Sequence, residues 1–273
     1  ADLVLYDRLV TSDILKIARA DSHLVYVGKE KDMHTRSQEE IHRLLWYFAS
    51  KGKVVVRLKA GDPTVFGRGG EELDYLEQRG VPVHIVPGIT AASGISATLG
   101  IPLTHRDYAD SVQFVTGHSK KDAEGNKPPL QLDFERLACP RTTLVVYMGL
   151  GTLPDLCQGL IAHGLPADIP AVAVQEGTSV RQRVVRAPVG QLAGAVERAG
   201  LLSPTLIMIG KVASLLSDQR VVQSVAECKA RGDGSALFEY LAGEGSSKER
   251  VQVLTRGALL TPAAPVGTRQ QRQ

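Results

Sequence analysis

The residues best suited to chemistry follow the ends of predicted strands in the first part of the chain. Residues 53–56, a lysine followed by three valines, predict a buried strand that breaks at Gly61-Asp62-Pro63, ahead of a helix from Glu71 to Gln78. Such a turn lies at the carboxyl edge of a sheet, where open α/β sheets bind ligands. Gly61 allows close approach of a ligand, and Asp62 can accept a hydrogen bond from a hydroxyl or amine. Taken alone, this pattern also fits an ordinary loop.

Other polar residues occupy equivalent positions at strand ends. Asp7 follows a strand at the start of the chain, and Lys29 follows a strand at 23–27. The segment 87–91 follows a predicted strand at 83–86. Each residue by itself is explained by an ordinary solvated turn, but together they predict one site at one sheet edge.

The second half of the chain adds two strand-end positions, Met148 and Gly177, although a methionine by default fills a core. Basic residues are concentrated near the same predicted edges. Several of them must be plain surface charge, but together they suit a polyanionic substrate held through its carboxylates. These residues are Arg8, Lys29, Arg57, Lys59, Arg68, His105, Arg106 and His118.

Elements that position these residues follow an α/β pattern. A capping-box-like start at Ser37 predicts a helix to about Ser50, and strand and helix then alternate, which predicts a mostly parallel sheet with helices on both faces. Later strands include a predicted hairpin and indicate a mixed sheet. We therefore expect an N-terminal α/β domain at 1–103, a C-terminal α/β domain at 104–216, and a variable, largely disordered tail at 217–273.

Bulk composition excludes several classes of protein. The chain has 273 residues, of which 43% are hydrophobic and 22% are charged, and its net charge is +3. This small charge does not favour a nucleic-acid or membrane-surface partner. The 3 cysteines show no paired spacing, so neither a disulfide framework nor a zinc site is expected. No apolar run is long enough for a membrane span.

A series of motifs in order carries a family resemblance over roughly residues 1 to 216. On these motifs the chain resembles the tetrapyrrole methylases, and within them the uroporphyrinogen-III C-methyltransferases. Residues 34–42 and 203–207 are more similar to plant and algal members than to bacterial ones. The motifs are Tyr-Asp-Arg-Leu-Val at 6–10, Tyr-Val-Gly-Lys at 26–29, Gly-Asp-Pro at 61–63, Phe-Gly-Arg-Gly at 66–69, Val-Pro-Gly-Ile-Thr-Ala at 86–91, Pro-Leu-Thr-His-Arg at 102–106, Val-Thr-Gly-His at 115–118 and Tyr-Met-Gly at 147–149.

The resemblance implies a two-domain tetrapyrrole methylase fold, with a parallel-sheet first domain, a mixed-sheet second domain and the active site in the cleft between them. It also implies a homodimer, S-adenosylmethionine as co-substrate and no metal. Asp7 matches the family's proposed proton acceptor and Lys29 its proposed proton donor. The implied substrate carries eight carboxylates, which Arg8, Arg68, His105 and Arg106 would bind. The implied cofactor contacts are Ala60, Gly61, Asp62, Val65, Thr90, Ala91, Met148 and Gly177.

The implied reaction is methylation of uroporphyrinogen III at carbons 2 and 7, which gives precorrin-2 on the way to sirohaem or cobalamin. Two alternatives stay open. The chain is similar enough to the wider family to methylate a later corrinoid, a ribosomal RNA ribose or a diphthamide precursor. Alternatively, it is an inactive, truncated homologue that only binds tetrapyrrole or dimerises.

The sequence departs from the family pattern in two places. The family opens with a strand and a Gly-Ala-Gly-Pro-Gly-Asp loop ahead of the motif at 6–10, and we expect both upstream of Ala1, in a longer protein of which this chain is a fragment or incomplete gene model. Ala60 replaces the family's second glycine before Asp-Pro. The plant-like motifs favour a plastid location, whereas a bacterial source would mean the cytoplasm; no targeting segment is visible.

Overall fold

The chain divides into two compact units, which are described separately here. The computed structural model describes residues 1–28, 36–118, 130–221, 238–241 and 252–254. The first unit is Ala1–Gly94 and the second is Ile95–Gln273. The division falls within the helix Ala91–Leu99, upstream of the boundary expected after residue 103.

The first unit contains a parallel sheet of three strands, β1 (Leu3–Tyr6), β2 (His23–Tyr26) and β3 (Val55–Leu58). Strand β1 lies in the centre, so that Leu3 pairs with both His23 and Val55. All three strands therefore end at one edge of the sheet, which is where Asp7 follows β1.

The helices described in the first unit are α1 (Ser12–Leu15), α2 (Gln38–Ser50), α3 (Gly69–Glu77) and α4 (Ala91–Leu99), the last of which continues into the second unit. Three of these four helices, α2, α3 and α4, bury apolar residues, whereas α1 buries none. Strand β1, the residue after β2 and the helices α2 and α3 supply a core of Leu3, Leu5, Val27, Ile41, Leu45 and Leu76.

The predicted start of α2 is confirmed in detail. The Ser37 side chain accepts a hydrogen bond from the Glu40 amide at 3.2 Å, and the Glu40 carboxylate accepts one from the Ser37 amide at 2.5 Å. This reciprocal capping box satisfies two amides that the helix cannot satisfy internally.

Two predictions for the first unit are wrong. The valine run is not a fully buried strand. Val54, just before the edge strand β3, is 63% exposed, and Val56, within β3, is 39% exposed. Residues 83–86 form no strand, since no strand among the described residues lies beside them to accept their hydrogen bonds. A strand needs such a partner, and hydrophobic pattern alone does not supply one.

The second unit contains the predicted mixed sheet, in the order β10-β9-β7-β6-β8-β5-β4. Strands β4 and β5 run parallel, and β6 and β7 form the predicted antiparallel pair. The strands are β4 (Ser111–Thr116), β5 (Thr142–Tyr147), β6 (Pro170–Gln175), β7 (Arg183–Pro188), β8 (Thr205–Ile209), β9 (Phe238–Leu241) and β10 (Gln252–Leu254). The helices are α5 (Phe134–Leu137), α6 (Leu153–Ala162) and α7 (Val189–Ala199), with 3₁₀ turns at Leu150–Thr152 and Lys211–Leu215.

Two strands lie in the stretch where a largely disordered tail is expected. Strands β9 and β10 both fall within 217–273, and the expectation for that stretch as a whole stays a prediction. Residues 222–237, 242–251 and 255–273 lie outside the described part of the chain.

Of the cysteines, Cys157 is buried, and burial raises the pKa of its thiol to about 11, as expected of an inert core residue. Cys139 is exposed, and Cys228 lies outside the described residues.

Within the described ranges, no helix combines the length and apolar character needed to cross a bilayer, and no group of His, Cys, Asp or Glu is arranged to hold a metal.

Replacing Ser37 with alanine tests the capping box. We expect the free energy of local unfolding at the start of α2 to fall by about 1 kcal/mol. The amide hydrogens there should therefore exchange roughly fivefold faster. Hydrogen exchange followed by mass spectrometry measures this change. The control is Ser93→Ala, at an exposed position inside α4, which should leave exchange in α2 unchanged. Equal exchange in the Ser37→Ala variant and the unmodified chain would show that the box contributes nothing.

Candidate active site

Asp7 holds a fixed, partly exposed carboxylate just after β1. Its Oδ1 accepts a hydrogen bond from the Leu9 amide at 3.0 Å, and its Oδ2 accepts one from Arg57 Nη2 at 3.2 Å. The side chain of Asp7 remains 30% exposed. The carboxylate is therefore oriented from two sides and still accessible to a bound molecule.

Arg57, on β3, is largely buried and binds more than Asp7. Its Nη1 donates to the carbonyl oxygens of Leu58 at 2.8 Å and Leu5 at 3.4 Å, and its Nε donates to Glu72 Oε1 at 3.3 Å. Its side chain is only 13% exposed. The planar guanidinium thus joins β1, β3 and α3 through separate nitrogen atoms.

Glu72 is the acceptor on which this network converges. Besides Arg57, its Oε1 accepts hydrogen bonds from Lys59 Nζ and Gln38 Nε2, each at 3.0 Å. The side chains of Glu72 and Lys59 are 7% and 8% exposed. Burial, and next the charge of Arg57, lowers the pKa of Lys59, while Glu72 opposes that shift. We refer to Gln38, Arg57, Lys59 and Glu72 as the Glu72 cluster.

The glycine turn at 67–70 lies directly against the Gly-Asp-Pro turn. Lys59 Nζ donates to the Gly67 carbonyl oxygen at 2.6 Å, and the Gly69 amide donates to the Pro63 carbonyl oxygen at 3.0 Å. A Cβ on Gly67 or Gly69 would lie 2.6 or 2.5 Å from that Pro63 oxygen. Only glycine allows the two turns to approach this closely, which explains the repeated glycines at positions 67 and 69 of the sequence.

Two residues at this turn, one just before it and one within it, have strained backbone conformations. Phe66 and Arg68 have φ angles of 51° and 58°, in the left-handed region, which costs residues other than glycine about 1 kcal/mol or more each. Arg68 is exposed and forms an ion pair with Glu71 at 2.5 Å. Such strain is concentrated at functional sites in proteins, which draws attention to Phe66 and Arg68.

Asp62 fastens two loops to each other. Its Oδ1 accepts from the Thr64 amide at 2.8 Å and from the Thr64 hydroxyl at 2.5 Å, and its Oδ2 accepts from the Gly88 amide at 2.9 Å. These bonds, that of the Thr64 hydroxyl first, lower the pKa of Asp62. A Cβ on Gly88 would lie only 2.1 Å from the Gly61 carbonyl oxygen. Asp62 therefore holds the 60–65 loop and the 87–91 loop together, and we call this pair of loops the Asp62 clasp.

The clasp leaves backbone rather than carboxylate available to a ligand. Ala60 and Gly61 are exposed, and Gly61 has a φ of 75° that favours glycine. A Cβ on Gly61 would lie 3.7 Å from Thr90 Cα and 3.9 Å from the Ala91 amide nitrogen, at ordinary contact distance. Val65 is half-buried in the same loop. Six of the eight expected cofactor contacts, Asp62 among them, thus lie close together in the first unit.

Met148 and Gly177 lie in the second unit, each after a strand. Met148 is 54% exposed with a φ of 55°, so it is not the core filler that its type suggests. A Cβ on Gly177 would lie 2.4 Å from side-chain atoms of Ile95. The next residue, Thr178, donates its amide to Gln182 Oε1 at 2.8 Å. Met148 is therefore exposed in a left-handed backbone conformation, and Gly177 occupies a position too tight for a side chain.

The expected substrate-binding residues are distributed over both units. Arg8 is exposed in the first unit, as is Arg68. In the second unit His105 pairs with Ala109 through two backbone hydrogen bonds and stacks against Tyr108 at 4.7 Å, and Arg106 is exposed. Lys29 lies outside the described residues.

Sequence reasoning missed Glu72, Gln38 and Thr64. One signal for Glu72 was available, because it lies three residues after Gly69 and four before Leu76, on the buried face of α3. A charged residue at a core position of a helix requires charged partners. Nothing local to Gln38 or Thr64 indicates their partners.

Comparisons with known proteins agree with the expected family. A model for tetrapyrrole (corrin/porphyrin) methylases matches residues 1–193. The chloroplastic S-adenosyl-L-methionine-dependent uroporphyrinogen III methyltransferase of Arabidopsis thaliana is 60% identical over 215 residues, covering 79% of this chain and 57% of that protein. A siroheme synthase of Methylobacillus flagellatus is 50% identical over 215 residues, covering 79% of this chain and 45% of that protein.

A solved structure is similar as well. Uroporphyrin-III C-methyl transferase from Thermus thermophilus, complexed with S-adenyl homocysteine, matches with a TM-score of 0.63 and 38% identity, covering 79% of this chain and 88% of that one. The chain spans about half the length of the curated relatives it matches.

The Asp62 clasp predicts a specific response to acid. Because the pKa of Asp62 is depressed in the folded state, its contribution to stability is present above the ordinary carboxyl pKa and is lost as the pH falls through the depressed value. We expect the Gly88 amide resonance to titrate with a midpoint below about 3.9, measured by NMR. In the Asp62→Asn variant this titration should disappear. A midpoint at or above the ordinary value would contradict the clasp.

Proposed function

The chain belongs to the tetrapyrrole methylase family, and from this premise we propose that it is an S-adenosylmethionine-dependent C-methyltransferase that converts uroporphyrinogen III to precorrin-2 by methylating carbons 2 and 7. The observation that carries the proposal is the Asp7 carboxylate, oriented by Arg57 and the Leu9 amide yet 30% exposed. A carbon methylation that must also release a proton needs such a group.

The Asp62 clasp fits the co-substrate. S-adenosylmethionine supplies an electrophilic methyl group on a sulfonium. Ala60 and Gly61 offer exposed backbone, while the carboxylate of Asp62 is engaged with Thr64 and Gly88. We propose that the 60–65 and 87–91 loops, with Val65, Thr90 and Ala91, bind this molecule mainly through backbone groups. Met148 and Gly177 stay proposed cofactor contacts on the strength of the family resemblance. Rigid positioning of the methyl donor provides much of the catalysis.

Asp7 accepts the proton in this proposal. A pyrrole carbon attacks the methyl group, forming a carbon–carbon bond as the sulfonium–carbon bond breaks, and the ring becomes an iminium-like cation. The carboxylate of Asp7 stabilises that positive charge and then accepts the proton that the ring loses. Lys29 stays a proposed proton donor. Arg8, Arg68, His105 and Arg106 are the proposed partners of the substrate's carboxylates, since arginine pairs with carboxylates through two hydrogen bonds at once.

Three further properties complete the proposal. We propose a homodimer, which light scattering after size-exclusion chromatography tests directly. The Arabidopsis thaliana relative is a chloroplastic enzyme, which supports a plastid location for this protein. Relatives that are siroheme synthases support sirohaem as the product branch, with cobalamin as the other branch of the family.

Methyl transfer itself is the test of the proposed function. The chain is incubated with uroporphyrinogen III and methyl-labelled S-adenosylmethionine, and the product is examined by mass spectrometry. We expect a tetrapyrrole that has gained two labelled methyl groups. Binding of S-adenosylhomocysteine without methyl transfer would favour the inactive homologue, and transfer only to a later corrinoid or to RNA would favour another branch of the family.

Changing Asp7 to asparagine tests its role. The amide keeps the size of the side chain but cannot accept the proton, so kcat should fall by about 10²–10⁴-fold. Affinity for S-adenosylhomocysteine, measured by calorimetry, should stay unchanged. Asp74→Asn, at an exposed position on α3, is the matched control and should retain full activity. Full turnover by the Asp7→Asn variant would remove Asp7 from the mechanism.

Replacing Gly88 with alanine tests the clasp as a cofactor site. The new Cβ, 2.1 Å from the Gly61 carbonyl oxygen, must push the two loops apart. We expect the affinity for S-adenosylhomocysteine to fall by about tenfold or more, since small displacements of positioning groups are costly. Gly70→Ala is the matched control, because a Cβ there meets nothing within 4 Å. Equal affinity in both variants would place the cofactor site elsewhere.

A further inference from the structure

The guanidinium of Arg57 is placed to set the orientation of Asp7 rather than to touch a substrate. Its side chain is 13% exposed, less than half the value for Asp7. Nη2 contacts Asp7, Nη1 contacts the carbonyl oxygens of Leu58 and Leu5, and Nε contacts Glu72. Each of its three nitrogens is therefore already engaged with the protein.

We infer that Arg57 is a positioning residue for Asp7, and that Glu72 holds Arg57 in the orientation this requires. The inference rests on the proposed function, because Asp7 has a chemical role only there. Arg57 acts through Asp7 and takes no proton itself.

Two hydrogen bonds define the plane of the Asp7 carboxylate. The Leu9 amide, two residues along the chain, fixes Oδ1 through a local turn contact. That single contact leaves Oδ2 unrestrained and lets the carboxylate rotate about the fixed oxygen atom. Arg57 Nη2 fixes Oδ2 from across the sheet and removes this rotation. A proton acceptor needs such a fixed direction to meet the proton in the transition state.

Glu72 is needed because a guanidinium held only by carbonyl oxygens can tilt. Nε binds Glu72 Oε1, on α3, while both Nη atoms bind groups on or just after β1 and β3. The three directions lie in the single plane of the guanidinium, so fixing Nε and Nη1 also fixes Nη2. A lysine at position 57 would keep the charge but carry one nitrogen atom, which cannot reach three separated partners.

A double-mutant cycle tests the inference. We measure single-turnover rates for the unmodified chain, Arg57→Lys, Asp7→Asn and the double variant, each saturated with S-adenosylmethionine. Arg57→Lys should lower the rate by about tenfold or more, with KM for S-adenosylmethionine within about twofold of the unmodified chain. In the Asp7→Asn background the same change should alter the residual rate by less than about twofold, because residues that act as a unit are non-additive.

The remaining outcomes overturn the inference in distinguishable ways. Equal losses from Arg57→Lys in both backgrounds would mean a general structural role for Arg57, and the proposed function would stand. Full turnover by Asp7→Asn alone would overturn both the inference and the proposed role of Asp7. Arg43→Lys, at an exposed ion pair on α2, is the matched control and should change neither rate. If Arg57→Lys fails to bind S-adenosylhomocysteine, Arg57→Gln goes through the same cycle, with the same expected results.

Discussion

One buried oxygen atom, Oε1 of Glu72, organises the first unit. It accepts hydrogen bonds from Gln38, Arg57 and Lys59 in a setting where Glu72 and Lys59 are 7% and 8% exposed. Removing water from the charged groups of Arg57, Lys59 and Glu72 is costly. The hydrogen-bonded ion pairs among these three side chains offset that cost. Removing one partner of a buried ion pair typically costs about 3–5 kcal/mol, because it leaves uncompensated charge. The cluster therefore fixes α2, β3 and α3 to one another far more strictly than a surface ion pair would.

The proposed chemistry depends on what this cluster holds at its two outer ends. Through Arg57 it orients the carboxylate of Asp7, and through Lys59 it fixes the Gly67 carbonyl oxygen in the glycine turn. The Asp62 clasp then adds the Gly88 loop by a separate set of hydrogen bonds. The proposed proton acceptor and the proposed methyl-donor loops are thus fixed on one parallel sheet, which is the main physical requirement for catalysis by positioning.

Sequence patterns predicted those features that depend on local physics. The capping box at Ser37 and the hairpin of β6 and β7 match the structure, because helix caps and hairpins are decided by near neighbours in sequence. The failure at residues 83–86 is different in kind, since a strand exists only beside a partner. Asp62 was predicted to face a ligand, but its bond to Gly88 spans 26 positions of sequence and no local pattern encodes it. A candidate site could therefore be proposed from sequence, whereas the contacts of its individual side chains required the structure.

A crystal structure of the Glu72→Gln variant tests most directly whether one carboxylate organises the first unit. The glutamine keeps the size of the side chain but removes the negative charge that balances Arg57 and Lys59. The account predicts that Arg57 Nη2 leaves Asp7 Oδ2, now 3.2 Å away, and that Lys59 leaves the Gly67 carbonyl oxygen, now 2.6 Å away. If both hydrogen bonds keep these lengths in the variant, the charge of Glu72 does not hold the site together, and the central claim is contradicted.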